Sequence, residues 1–536
     1  MGFLRRHNVL SAFIALVLLL ASSIFFWASR QLHRIEPMLN ARIVAALASR
    51  FHARVELDEL HLSLLRGLEA EGRGLRIWPS TDVPAAQPMI ALNRFHFHTG
   101  LHLTELAWML ARNQGTVLIP LINVDGARID LPPHARFILK PPTQNPRSPA
   151  ATALDFQIDK INFRNAVLIL ETDKPGKLPQ DYSIDTLNIN HVAPGQPMQF
   201  DASLRIPRPD GIVKTSGSFG PWQSGDWGGS RLEGNYQLVR ANLAVFKGIA
   251  GSLDSSGHYD GTLRQLSVNG ITTTPDFRLT HFGNSEALRT RFSARVDATD
   301  GDTHLEDVTA TLGRSAFKVH GDILRVTSGG SAQGHDILLT TASMGTDRVE
   351  DFLTLAGSKP GTMMVGDLAF TATFHLPPGP MPLHLRTGID GNFQLDNALF
   401  SNASIQGKVC ELSLRGQGKP DAIPSTDPNS ILSTMNGDFT IQNGALKLPN
   451  LNYQVPGAQM NFNGTYLLDG GAIQFSGTAK LDAKLSQMTT GWKSSLLKTF
   501  EGAVSRDGAG TFVPINIDGT WKKPHFAIDF GRLLRP

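Results

Sequence analysis

The chain has one cysteine, Cys410, in 536 residues. This excludes an internal disulfide framework and any paired-cysteine metal or redox site. Among Val409, Leu412 and Leu414 it reads as a small buried strand residue. An excess of one charge is also missing: 50 basic residues against 47 acidic give +3, too balanced for a nucleic-acid partner. Tyr (5) and Trp (7) are scarce beside Phe (29), so apolar surface carries few polar handles. No P-loop, G-x-S-x-G elbow, HExxH or Rossmann turn is present. No acid, base, nucleophile or metal set converges either, so neither an enzyme nor a cofactor is expected. His96 and His98 share one side of a strand but lack a third ligand. Asp297, Asp300 and Asp302, with Glu306 and Asp307, hint at calcium, but Thr299 and Gly301 fall where oxygen ligands are required. Solvated carboxylates in a strand-to-strand turn are expected instead.

What is abundant is turn chemistry. Gly (51) and Pro (32) are frequent, and about a dozen Asn-Gly or Asp-Gly pairs recur from Asp125 to Asp518. In 433–485, apolar residues alternate at period 2: Phe439 and Ile441, Leu446 and Leu448, Leu451, Tyr453 and Val455, Met460 and Phe462, Ile473 and Phe475. Asn443-Gly444, Pro456-Gly457, Asn463-Gly464 and Asp469-Gly470 interrupt them as tight-turn signals. Across Asn443-Gly444 the alternation pairs Ile441 with Leu446 and Phe439 with Leu448 on one face. The same pattern holds in 367–376 and in 383–395, with Asp390-Gly391 inside the latter. From 280 to 485 hardly any segment suits a covering helix. The pattern predicts an antiparallel meander, oily on one face, that folds as a sandwich, winds as a solenoid or curls into an open trough. At about ten residues per strand and turn, residues from 154 onward give roughly 35 strands and ~170 Å of flattened sheet.

The amino terminus differs. Residues 9–28 carry no charge, and about 20 apolar residues in a helix cross a bilayer. Val9, Phe13, Leu16, Leu20, Phe25 and Trp27 are the expected anchor residues, with Arg5 and Arg6 favouring an inside amino terminus. A cleaved signal peptide is the alternative, but Phe25, Phe26 and Trp27 stand where small residues belong. Helical spacing follows in 31–51, in 101–112 and, near the end, in 486–500. Pro141, Pro142, Pro146 and Pro149 mark 140–150 as a linker, and Trp222 and Trp227 lie in a loop excursion. The expected divisions are 1–30 stub and anchor, 31–140 helix and first β segment, 151–485 repetitive β region, and 486–536 terminal helix and closing strands.

Several stretches carry a likeness: VELDELHLSLLRGLEAEGRGLRI (55–77), LDSSGHY (253–259), GTLRQLSVNG (261–270), Pro275-Asp276-Phe277, LRTRFSARVD (288–297) and VPINIDGTW (513–521) with Pro524, Phe526, Ile528 and Asp529. Together they resemble the AsmA-like family of bacterial envelope proteins. The likeness touches the beginning, middle and end as degenerate strand patterns. It implies an inner-membrane anchor and a long periplasmic β-sheet bent into a lipid-holding groove, related to TamB-like and bridge-like lipid-transfer proteins. It also implies a part in outer-membrane lipid homeostasis. The expected fold is thus mainly β: a transmembrane helix, then a long antiparallel meander curled into an elongated apolar groove, with short helices near both ends. Expected partners are phospholipid and the inner membrane, with the outer membrane or other envelope proteins beyond them. The expected groove lining is Phe292, Val296, Phe370, Phe374, Phe393, Leu395, Phe439, Ile441, Tyr453, Met460, Phe462 and Phe475. A non-transporting scaffold or regulator of outer-membrane assembly is the rival reading.

Overall fold

The structure is a computed structural model. It describes residues 54–528 apart from 64–67, 79–86, 100–115, 132–154, 172–174, 176, 193–195, 208, 222–226, 247, 281–283, 329–331, 346, 357–362, 380, 489–509 and 521, together with positions 37, 40, 41, 44, 45 and 48. The expected anchor residues Val9, Phe13, Leu16, Leu20, Phe25 and Trp27 lie outside the described residues, as do 101–112 and most of 486–500. Among the described residues no helix is long and apolar enough to cross a membrane.

All 26 strands of the described residues join one curled sheet, a half-barrel, and sequential strands are neighbours nearly throughout. The hairpin at Asn443-Gly444 shows why. Gln442 pairs with Ala445, both turn residues have positive φ (52° and 73°), and Ile441 faces Leu446 as the alternation predicts. That is the backbone of a type I′ turn, whose twist matches the strands it joins.

The strands run to 16 residues, so the described residues from 154 onward form 21 strands and not the predicted 35. Three of the 26 continue a neighbour's row, Glu59–Ser63 after Val55–Glu56, Ser252–Thr262 after Ile249–Ala250, and Asp347–Arg348 after Ala332–Ser343, which leaves 23 rows. At ~4.8 Å per row the flattened sheet is roughly 105 Å long.

One pairing departs from the antiparallel expectation. Thr116–Leu131 and Asp155–Leu170 run parallel over fourteen register pairs. Parallel neighbours need a crossover of about a dozen residues or more, and the interval that joins these contains the proline-rich 140–150. That linker does not divide the core. Val55, Leu75, Ile77, Phe95, Val124 and Ala127 pack in one buried cluster with Ala166 and Ile184.

The helices correct the sequence reading further. Ala403–Gly416 is an α-helix of 14 residues, not strand. Its buried residues Gln406, Val409, Cys410, Ser413 and Leu414 fall at i, i+3, i+4, i+7 and i+8, one helical face. The Asn402 side chain caps its start by accepting from the Ser404 and Ile405 amides at 2.9 and 3.3 Å. Cys410 is therefore a buried helix residue. A second helix, Val349–Ala356, lies over the strands Gln265–Leu279, Ser285–Val296 and Met364–Leu376.

Candidate functional site: the inner face of the sheet

Register partners in a sheet share a face, so following the pairings traces rows along it. One row passes from Phe95 through Val124, Phe163, Leu187, Ala202, Thr215, Tyr236, Gly257, Gly270, Phe292, Val308, Val319, Thr341, Ala372 and Gly391 to Phe439. No position in it is charged. Beside it a second row includes Ile122, Ile161, Ile189 and Phe200 at one end and Leu339, Phe374, Ile389 and Ile441 at the other. The opposite face carries polar ladders: Asn162 on Asn123, Asn165 on Asp125, and Arg295 on Glu306 with a 2.7 Å Nε bond. A stripe of side chains without charge thus runs the length of the sheet, with water-facing groups behind it.

Aromatic rings on this face do not project freely. Gly464 is the register partner of Phe475, and a Cβ there would lie within 2.5 Å of the ring's Cε1. Gly477 sits likewise under Phe462 (2.6 Å), Gly391 under Phe439 (2.9 Å), Gly257 under Tyr236 (2.8 Å) and Gly234 under the Cζ of Tyr259 (2.9 Å). Each ring lies flat over a neighbouring strand where only glycine leaves room, a device that recovers packing lost at a side-chain-free position. Asn463-Gly464 and Asp390-Gly391 are therefore not turns but mid-strand glycines beneath rings. The rings pave the wall instead of standing up from it.

Between the apolar ends the inner wall turns to hydroxyls. Thr215 donates to the Asn235 carbonyl at 2.9 Å and so accepts from Tyr259. Ser255 donates to the Ile271 carbonyl at 3.1 Å, which makes the Tyr236 hydroxyl the donor to it. Thr272 and Thr290 meet at 2.7 Å. Burial pushes the Tyr236 and Tyr259 hydroxyls above their ordinary pKa, so both stay neutral. The sequence carried the signal for this belt, since Thr, Ser, Tyr and Gly replace aliphatic residues on the alternating positions there. The sequence reading missed it.

The twelve expected lining residues all lie on the inner face, in four settings. Leu395, Tyr453, Met460 and Phe462 are buried, 2–8% exposed, in a core beneath the helix Ala403–Gly416, with Val409, Met435 and Leu481. They close one end of the sheet and line no open space. Phe393 and Phe475 pack partly buried against that core, and Phe393 also meets Phe439 at 6.3 Å between centroids. Phe370 is enclosed with Phe317 and Phe352 at 6.0 and 5.2 Å, under the helix Val349–Ala356. Phe292, Val296, Phe374 and Ile441 are half-buried and belong to neither of the two buried clusters.

The candidate metal groups do not assemble. His96 lies on the outer face, 4.0 Å from Glu69. Among the described residues no group of three or more potential ligands is placed to hold an ion. Of the acidic cluster, Glu306 and Asp307 are exposed as expected, but the aspartates before them are not. Asp300 is fully buried and accepts from the Asp302 amide at 3.0 Å, while Asp297 accepts from the Thr299 amide at 2.9 Å. Searched against family models, curated proteins and solved structures, the chain gives no match.

Proposed function

We propose that this protein holds phospholipid acyl chains along the inner face of its sheet and assists their movement between membranes of the bacterial envelope. The observation that carries the reading is the stripe from Phe95 to Phe439, uncharged throughout, with Phe292, Phe374 and Ile441 on the same face outside both buried clusters. Water tolerates its apolar stretches poorly unless something occupies them. Acyl chains suit because they need area, not directional bonds, and each buried CH₂ contributes about 0.8 kcal/mol. Two long chains gain on the order of 20 kcal/mol gross, much of which the donor bilayer supplies too. The gain is therefore in the barrier to leaving the bilayer. In this reading residues 9–28 anchor the chain in the inner membrane with the sheet on the periplasmic side, and the chain is not an enzyme.

The test is lipid extraction and mass spectrometry of the purified full-length protein. Phospholipid should co-purify near stoichiometrically, and Phe374→Glu or Phe292→Glu should abolish it while leaving the protein folded. Phe462→Glu should unfold the helix-covered end instead, because Phe462 belongs to that core. Lipid-free wild-type protein, or full lipid occupancy in both open-face variants, refutes the reading and favours a scaffold.

A further inference from the structure

Two contacts join opposite ends of the strands. The segment before Gln180–Asn190 meets the loop after Ser285–Val296, six to eight rows further along the sheet. Lys177 Nζ sits 2.6 Å from Asp302 Oδ1, with the two side chains 14% and 21% exposed, and also donates to the Arg325 carbonyl. Asp302 accepts from the Arg325 amide at 2.9 Å. The Arg325 guanidinium bonds Gln180 and, at 3.2 Å, the Pro179 carbonyl. Tyr182 donates to the Ala298 carbonyl at 3.3 Å, and burial pushes its hydroxyl up to about 12. The second contact is between Gly248, beside Ile249–Ala250, and Leu383, before Gly388–Phe400, again about seven rows on. A constant offset of about seven rows is ~34 Å of sheet. The sheet is wound like a paper straw, and its two margins meet along a seam.

This seam is held by side chains, not by a ladder of backbone hydrogen bonds. It also has a consequence for a lipid whose tails lie on the inner face, because the headgroup must then ride in the mouth between the margins. Where the margins meet, the mouth is shut. The wall inside offers Thr215, Tyr236, Ser255, Thr272 and Thr290 hydroxyls, mostly bonded to one another, while the cations at the seam, Lys177 and Arg325, are engaged by Asp302 and Gln180. An anionic phosphate enclosed there would lose much of its hydration. Passage through the section therefore needs the margins apart. We propose that the seam is a lateral gate and that the Lys177–Asp302–Arg325 cluster is its latch, opening to let phospholipid headgroups through. The inference rests on the lipid-holding reading given above. A partly buried ion pair suits a latch: closed, it is shielded, and open, both charges regain water, so the two states stay close in free energy.

The experiment locks the latch in the full-length chain. Lys177→Cys with Asp302→Cys is bridged by a short bismaleimide containing a cleavable disulfide, with buried Cys410 left in place. Transfer of fluorescent phosphatidylethanolamine is followed between phosphatidylethanolamine/phosphatidylglycerol vesicles, and bound lipid is counted by mass spectrometry. Bridged protein should keep its bound lipid but transfer at least tenfold more slowly, and cleaving the bridge with reductant should restore the rate. The recovery separates gating from misfolding. Equal rates in bridged and cleaved protein overturn the gate, because headgroups then pass through a closed seam. A wild-type chain that neither binds nor transfers lipid removes the underlying reading, and the gate with it. As a second arm, Lys177→Gln should raise the transfer rate and speed hydrogen exchange at 298–302, and an unchanged exchange rate there would show that the cluster holds nothing shut.

Discussion

The flat rings make a prediction whose sign depends on the neighbour. Gly464→Ala places a methyl group inside the Phe475 ring, its register partner. The ring must lift. Phe475 is half-buried, so lifting it forfeits roughly 1 kcal/mol of a phenylalanine's burial. Overpacking strain adds about 1–3 kcal/mol. Alanine in a strand regains only about 0.5–1 kcal/mol over glycine in backbone entropy. The balance is a loss of about 2 kcal/mol. In a Phe475→Ala background the ring is gone and only the entropy term remains, so the same substitution should stabilise by about 0.5–1 kcal/mol. Native-state hydrogen exchange in Ala458–Leu467 and Ala472–Leu481 reads both. At about 1.4 kcal/mol per decade, the single variant should exchange roughly 30-fold faster than wild type, and the double variant slower than Phe475→Ala alone. If Gly464→Ala destabilises equally in both backgrounds, with a coupling below about 0.5 kcal/mol, the ring does not rest on the glycine and the argument fails.

Three further tests concern the covering helices. Gln406, 1% exposed, donates to the Pro428 and Ile431 carbonyls at 2.8 and 2.9 Å and accepts from the Phe400 amide at 3.0 Å. Gln406→Ala orphans all three and should cost about 2–3 kcal/mol in chemical denaturation, and a loss under about 0.5 would show that water replaces them. Cys410 is 2% exposed, and burial pushes its thiol up, so alkylation by iodoacetamide should be negligible in native protein. Prompt labelling would mean that the helix Ala403–Gly416 opens. Burial pushes the Glu350 carboxyl up, but hydrogen bonds from its own amide, from Arg348 and from the Gly366 amide outweigh this and hold it below the ordinary 4.5. A carboxylate depressed on folding stabilises above its unfolded value and loses that contribution as pH falls through the folded one. The thermal midpoint should thus drop on acidification below 4.5, and Glu350→Gln should flatten the drop. Parallel curves for the two proteins would contradict this.

How much of this could be read from the residues depends on whether the cause was local. The hairpin at Asn443-Gly444 was legible because its turn and its pairing lie within six residues. Asn463-Gly464 misled because the same dipeptide serves a turn or a ring seat, and Phe475, not the pair itself, decides. The helix Ala403–Gly416 was hidden because Val409, Leu412 and Leu414 fit a strand loosely. The fuller set of Gln406, Val409, Cys410, Ser413 and Leu414 is helical, but two of its members are polar and escape a hydrophobic pattern. One-sidedness of the lining residues was legible from alternation. Which of them lie under a helix was not, since Tyr453 and Phe374 alternate alike. The seam depends on how seven rows of twist accumulate, and no window of sequence contains that.

The parallel pairing of Thr116–Leu131 with Asp155–Leu170 means that the first five strands adhere to the rest through an interface of fourteen paired positions and a shared core. Chain continuity there is a convenience, not a requirement. Two polypeptides ending and beginning within 132–154, produced separately, should find one another and rebuild the joint, each retrieving its counterpart through an affinity tag. A protein of this design can be lengthened, shortened or exchanged at that joint without rewriting either half.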